Sequence, residues 1–236
     1  MLSGPGRRVY LKCSEILSKV VELETLCQQL GGNWESSIKI VFDGILPFQP
    51  FLEIYKIFKS EKIPTTVQTY ADYLEDVEKT FLAQDADLMI SVLPIQNKNL
   101  DSLELPKIKS FLVAHKDHAI HKTNKHWSRQ EMRAFNFLTV RGPVQKLGLN
   151  TNDFEESASF LLSDFSFKKE AISKKIGYGW LPEHLIELEL KNKTLVPVRW
   201  ERKSVHEIQP TIYINKKSQG GLALARVLEI LKNPVT

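Results

Sequence analysis

Four histidines, His115, His118, His121 and His126, fall within the twelve residues HKDHAIHKTNKH, and imidazole is the commonest side-chain ligand of transition metals. A zinc site would complete such a set with a carboxylate or thiolate at ligand spacing. Only Asp117 is on offer, the intervals are irregular and the filling is charged, so the stretch reads as an exposed loop without a metal. GYGW, from Gly177 to Trp180, carries two of the glycines of a dinucleotide loop but lacks the third and follows no expected strand. Glu155 and Glu156 are adjacent in sequence and read as solvated rather than as an acid–base pair. The chain holds no glycine-rich phosphate loop, no G-x-S-x-G, no H-E-x-x-H and no C-x-x-C. The residues therefore predict a protein that is not an enzyme and takes no cofactor.

The elements that would position any site alternate. Ile38 to Phe42, Thr65 to Tyr70 and Asp87 to Val92 read as strands; Pro47 to Phe58 and Tyr73 to Leu82 read as helices between them. That alternation implies a parallel sheet with right-handed crossovers. A strand at Ser110 to Ala114 precedes a second round: a short helix at Ser128 to Ala134, a strand at Phe137 to Val140 and an ill-defined Glu155 to Leu162. Helices at Phe167 to Lys174, Glu183 to Leu190 and Gly221 to Leu231 follow, with strands at Trp180 to Pro182, Leu195 to Trp200 and Gln209 to Asn215. Two rounds of one unit suggest two lobes.

Ahead of them, residues 7–30 read as one helix. Val9, Cys13, Ile16, Val20, Leu23, Cys27 and Leu30 are spaced 4-3-4-3-4-3, a heptad seam. The pattern would also serve a helix lying on its own domain; a seam so regular, ended by Gly31-Gly32, favours pairing with another chain.

A length of 236 residues with 42% hydrophobic and 25% charged content suits one large or two small globular domains. The net charge of +4 is mild and reads as solvated lysine rather than a nucleic-acid stripe. No run approaches the ~18 apolar residues of a membrane span, and no apolar core follows Arg7-Arg8 as in a secretory leader. The two cysteines, Cys13 and Cys27, lie roughly 21 Å apart along a helix, too far to bridge within it, which fits a reducing cytoplasm.

At KKIGYGWLPEHLIELELKNKTLVPV, residues 174–198, the sequence resembles the effector-binding domain of LysR-type transcriptional regulators. Gly177, Gly179, Leu181, Pro182, Glu183, His184 and Leu195-Val196-Pro197 carry the match, and LAQDADLMI (82–90), with Asp87 in the characteristic place, agrees in order. So do FLVAHKDHAI (111–120), whose His118 falls in the family's "his-pro-leu" loop, MRAFNFLTVRG (132–142) and SDFSFKKEAI (163–172). Leu2-Ser3-x-x-Gly6 is similar to the end of the family's winged helix-turn-helix, so the DNA-reading helix is expected before Met1.

The resemblance implies an α/β fold of two Rossmann-like lobes with a hinge of crossing strands (type 2 periplasmic-binding-protein-like), preceded by a long linker helix. Residues 1–34 would hold the end of the wing and the dimerising helix, 35–114 and 210–236 the first lobe, and 115–209 the second. It implies an effector-sensing, oligomerising part of a cytoplasmic transcription regulator, a homodimer or dimer of dimers, that meets promoter DNA only through the missing N-terminal domain. A stand-alone solute-binding protein, and less an enzyme on this scaffold, are the alternatives. The small-molecule cleft would be lined by Asp43, Gly44, Leu46, Tyr70, Ala71, Leu93, Pro94, Arg141, Ser163 and Phe165. Two positions depart from the family. Asp43-Gly44 replaces its usual hydroxyl residue, so either the effector is not an acid or Asp43 caps a helix facing away from the cleft. Lys175 stands where the family commonly has glycine.

Overall fold

The computed structural model describes residues 6–7, 9–10, 12–13, 15–17, 19–20, 23, 34–123, 125–140, 159–218 and 221–232. They divide into two compact units, one of Met1–Ile38, Gln49–Gln68 and Ser218–Thr236, the other of Lys39–Phe48 and Thr69–Lys217.

In the first unit the described N-terminal residues are helical from Gly6 to Leu23 wherever they are placed. Cys27 and Leu30 lie outside the described residues. Helix α1 (Gln49–Ser60) buries Phe51, Ile54 and Phe58, a 3-4 stripe, and packs against the closing helix α6 (Leu222–Lys232), which buries Ala223, Leu224, Val227, Ile230 and Leu231. Each of these side chains but that of Ala223 contributes about 1.5–3 kcal/mol of burial. The Glu35 carboxylate accepts from the N–H groups of Ala223 (2.8 Å) and Leu224 (3.1 Å), satisfying the open start of α6.

The strands form two sheets. The first runs β2-β1-β3-β11-β4, with β1 (Ser37–Asp43), β2 (Thr66–Asp72), β3 (Leu88–Ser91), β4 (Leu100–Glu104) and β11 (Thr211–Asn215). β1 and β3 are parallel, in register Val41 with Met89, as the alternation predicts. β11 is antiparallel to both β3 and β4, because it returns from the second sheet rather than from a crossover helix. Val41, Met89 and Tyr213 stand side by side on one face and meet Val77 and Phe81 of helix α2 (Glu75–Ala83). On the other face Ile40, Leu88, Ile90 and Ile212 are buried as well, which is why the sequence of β3 is a continuous apolar run.

The second sheet runs β10-β5-β8-β6-β7, with β9 also on β5. Its members are β5 (Ile108–His115), β6 (Phe137–Val140), β7 (Ser159–Leu162), β8 (Tyr178–Pro182), β9 (Leu195–Pro197) and β10 (Val205–Ile208). The sequence reading carries the first lobe to residue 114, whereas β5 pairs with β8, β9 and β10. β4 and β10 are strands the sequence does not announce. Both are polar, mostly exposed edge segments, LDSLE and VHEI, without an alternating apolar face.

Four helices end alike: α1, α2, α4 (Phe165–Ser173) and α5 (Glu183–Lys191), the first two separated from the others by the single-turn α3 (Arg129–Met132). The second residue after each adopts a left-handed backbone: Lys62 (φ 52°), Asp85 (φ 45°), Lys175 (φ 65°) and Lys193 (φ 54°). In each the next N–H reaches back to a carbonyl five residues earlier, as Ile63 to Phe58 (2.9 Å) and Thr194 to Glu189 (2.9 Å), the Schellman pattern. Glycine is the usual occupant of such a position, and lysine or aspartate stands in its place at all four.

Candidate functional site

The site is built at the ends of the first-sheet strands. Asp43 closes β1 with its side chain fully buried. Its carboxylate accepts from the N–H groups of Ile45 (3.1 Å) and Leu74 (3.0 Å), the residue that opens α2. Burial pushes its pKa up to about 6, against the pull of those two donors. Leu74 is held at φ 54°, ψ −117°, a strained conformation for a branched side chain, with its N–H fixed on Asp43. The carboxylate thus holds the turn after β1 and the start of α2 through their backbone N–H groups.

Gly44 is required by a close approach. A Cβ there would sit 2.6 Å from Cε1 of Tyr73, so the glycine lets the Tyr73 ring lie across the turn. The Tyr73 ring then meets that of Phe165, centroids 6.1 Å apart. Burial, followed by the negative charges of Asp164, Asp43 and Asp72, pushes the Tyr73 phenol up. Asp43 and Gly44 from one sheet and Phe165 from the helix over the other are therefore brought together through Tyr73, which the sequence reads only as the start of a helix.

The remaining expected residues are placed more loosely. Leu46 is buried, its N–H donating to the Asp43 carbonyl (2.9 Å). Tyr70 packs on the Val41–Met89 core, and Ala71 is exposed. Ser163 is exposed and donates to Asp164 (3.0 Å), whose other oxygen caps α4 by accepting from Phe167 N–H (2.8 Å). Arg141 lies outside the described residues. Leu93 and Pro94 line a cavity of about 410 Å³ with Ser102, Glu104, Gln209 and Thr211. There the chain passes between the sheets twice. Leu105 N–H donates to the Pro210 carbonyl (2.9 Å), and the Gln209 side-chain amide donates to the Leu105 carbonyl. Pro210 has no N–H to return, so the amide of Gln209 takes its place.

Lys168 is the residue that sequence reasoning missed. On α4 it falls with Phe165 and Ile172 on the buried face, and it is only 2% exposed. Its Nζ lies 5.5 Å from the centre of the Phe165 ring. A Cβ at Gly179 would come within 2.8 Å of its Cε and 2.6 Å of the Leu138 carbonyl, so the glycine makes the room in which the stem lies. Burial pushes the amine down to about 7, with no pairing carboxylate among the described residues. The 3-4 spacing of Phe165, Lys168 and Ile172 is the signal that could have found it.

The histidine stretch is a loop with one 3-10 turn (Ala119–His121), exposed in most of its described residues but with His118 and Ile120 buried. His118 is 8% exposed, its Nδ1 accepts from Ile120 N–H (3.2 Å) and its ring faces Phe135 at 5.7 Å. Burial, then repulsion from His121 and His115, pushes its pKa down. Among the described residues no group of three or more His, Cys, Asp or Glu could hold a metal, and no helix is long and apolar enough to cross a membrane.

This architecture has close counterparts. The regulatory domain of MetR, a LysR family regulator from N. meningitidis, superposes with a TM-score of 0.66 at 13% identity over 83% of this chain and 92% of that one. Full-length LysG from Corynebacterium glutamicum with bound effector Arg superposes at 0.69 and 14% identity over 92% of this chain and 74% of that one. The type 2 periplasmic-binding-protein-like fold expected from the sequence is thus the one observed. In sequence, the uncharacterized HTH-type transcriptional regulator YeeY of Escherichia coli (strain K12) is 20% identical over 195 residues. The match takes in 81% of this chain and 63% of that relative, so the chain spans less than two thirds of its length. Residues 31–234 match the family model of the LysR substrate binding domain, and the chain belongs to that family.

Proposed function

We propose that this chain is the effector-sensing and oligomerising part of a cytoplasmic LysR-type transcription regulator, without catalysis of its own, acting on promoter DNA through a separate N-terminal reader. The first lobe runs from residue 35 to the connection before β5 and resumes after Gln209; the second runs from β5 through β10, following the strand pairing. A small molecule would be held between the Asp43–Leu46 turn, Tyr73 and Leu93-Pro94 on one side and Ser163, Phe165 and Arg141 on the other. Binding that touches both lobes favours one closure by its differential affinity, and the N-terminal seam would carry that change into a homodimer or dimer of dimers.

The observation that carries this reading is the Tyr73–Phe165 ring contact, which joins the strand ends of one sheet to the helix over the other. The bound Arg of LysG makes amino acids the first set to screen by thermal shift against the chain. A ligand that raises the melting temperature of the wild type should lose about tenfold or more in affinity in Phe165→Ala, since losing about 1.4 kcal/mol of contact with the ring is already tenfold. Equal stabilisation of the variant would move the site elsewhere.

A further inference from the structure

A second pocket, of about 190 Å³, opens at the end of β5 and shares no residue with the effector loops. Lys116, His121, Thr123, Lys125 and Arg199 line it over an apolar floor that includes Val196; no carboxylate lines it. Lys125 is fixed in place, its Nζ 2.6 Å from Glu131 and 4.3 Å above the Trp127 ring, and the Trp127 indole N–H donates to the Ile120 carbonyl (2.8 Å). Inside the pocket Nε2 of His121 is buried and makes no hydrogen bond of good geometry, although the Ala114 and Val196 carbonyls lie near the ring. An orphaned buried polar atom is costly and uncommon in native structures. Here it points to a ligand.

We propose that this pocket binds a small phosphate-type oxyanion, held by Lys116, Lys125 and Arg199, with Nε2–H of protonated His121 as the buried donor. A tetrahedral dianion supplies acceptors to several charged donors at once and gives Nε2 the partner it lacks. The titratable groups around the ring are otherwise basic. They are His115 and Lys116 at the end of β5, His118 in the turn before it, Lys125 in the following loop and Arg199 beyond β9. The nearby carboxylates are engaged, Asp117 by Lys175 (2.9 Å) and His115 (3.7 Å), and Glu131 by Lys125. Without an anion, burial and then the charges of Arg199 and His115 hold the His121 imidazole below its ordinary pKa, offset in part by the Ala114 and Val196 carbonyls. Anion binding reverses that repulsion, so the ring takes up a proton as the anion enters, and the affinity for sulfate, which stays a dianion, rises as pH falls.

The test is a titration of the full chain with inorganic phosphate, sulfate and a phosphate monoester such as glycerol phosphate, against chloride at matched ionic strength. It is followed by imidazole NMR signals, with His121→Gln to assign His121. Expected are a saturable shift of the His121 signal, a rise in its pKa, and about a tenfold weaker affinity in Lys116→Gln and Arg199→Gln. Both side chains are exposed, so these variants keep the fold. Tighter binding of the monoester than of phosphate would assign the site to an organic phosphate, and the reverse to the free ion. No saturable change beyond that of chloride, or an affinity unaltered in both variants, would overturn the proposal.

Discussion

A lysine amine shut away from water is charged only at a cost, and Lys168 shows how that cost appears in stability. A base whose folded pKa is about 7 and whose unfolded value is about 10.4 holds fewer protons folded than unfolded between those limits. Stability therefore rises with pH across that window and is lowest below it, where the charged amine is buried in full. We expect Lys168→Met, which keeps the stem against Gly179, to raise the urea midpoint near pH 7 and to flatten its rise toward about pH 10. A variant that follows the wild-type slope would show that Lys168 is not the titrating group. Asp43 and Gly44 were legible in the sequence as a departure at the end of a strand. Tyr73 and Lys168 were not, because a ring seated on a glycine at the end of the neighbouring strand, or a lysine housed by Gly179, is a consequence of packing rather than of local pattern.

The four left-handed helix ends explain why element boundaries were hard to read. A helix stop is normally signalled by glycine, and here lysine or aspartate does the same work under strain. Replacing Lys193 by glycine should stabilise the domain by about 1 kcal/mol, seen as a higher melting temperature. Lys175→Gly should yield less, since it also removes the pair with Asp117. An unchanged or lower Tm for Lys193→Gly would mean that the strain is already relieved in place. The polar edge strands β4 and β10 escaped notice for a related reason, since pairing rather than burial makes them strands. The N-terminal seam is a different matter. Val9, Ile16, Val20 and Leu23 are 63%, 62%, 44% and 59% exposed in the single chain, as are Tyr10 and Leu17 beside them. Val20→Glu with Leu23→Glu should lower the oligomeric state in sedimentation, and an unaltered oligomer would place the interface elsewhere.

At the scale of the whole molecule, two sheets were expected from two rounds of one pattern, and two are present. Their mixed strand directions were not legible, because the pattern records each strand but not the path that returns β11 to the first sheet. Where the chain passes between the sheets, Gln209 stands in for the donor that Pro210 lacks. Gln209→Ala should leave the Leu105 carbonyl unpaired and speed amide exchange at Ile108 and Thr211 by about tenfold; unchanged exchange would show that the crossing does not depend on it. The return of β11 also sets the order in which the protein can be made. β3 and β4 are synthesised early, yet in the finished sheet they do not touch, for β11 lies between them. The ribosome must read through the entire second sheet before that gap can be filled, which at 5–20 residues per second takes roughly 5–20 s. During that interval β3 has one edge without its partner strand and β4 has both, edges of the kind that make a nascent chain prone to aggregate until the last strand arrives.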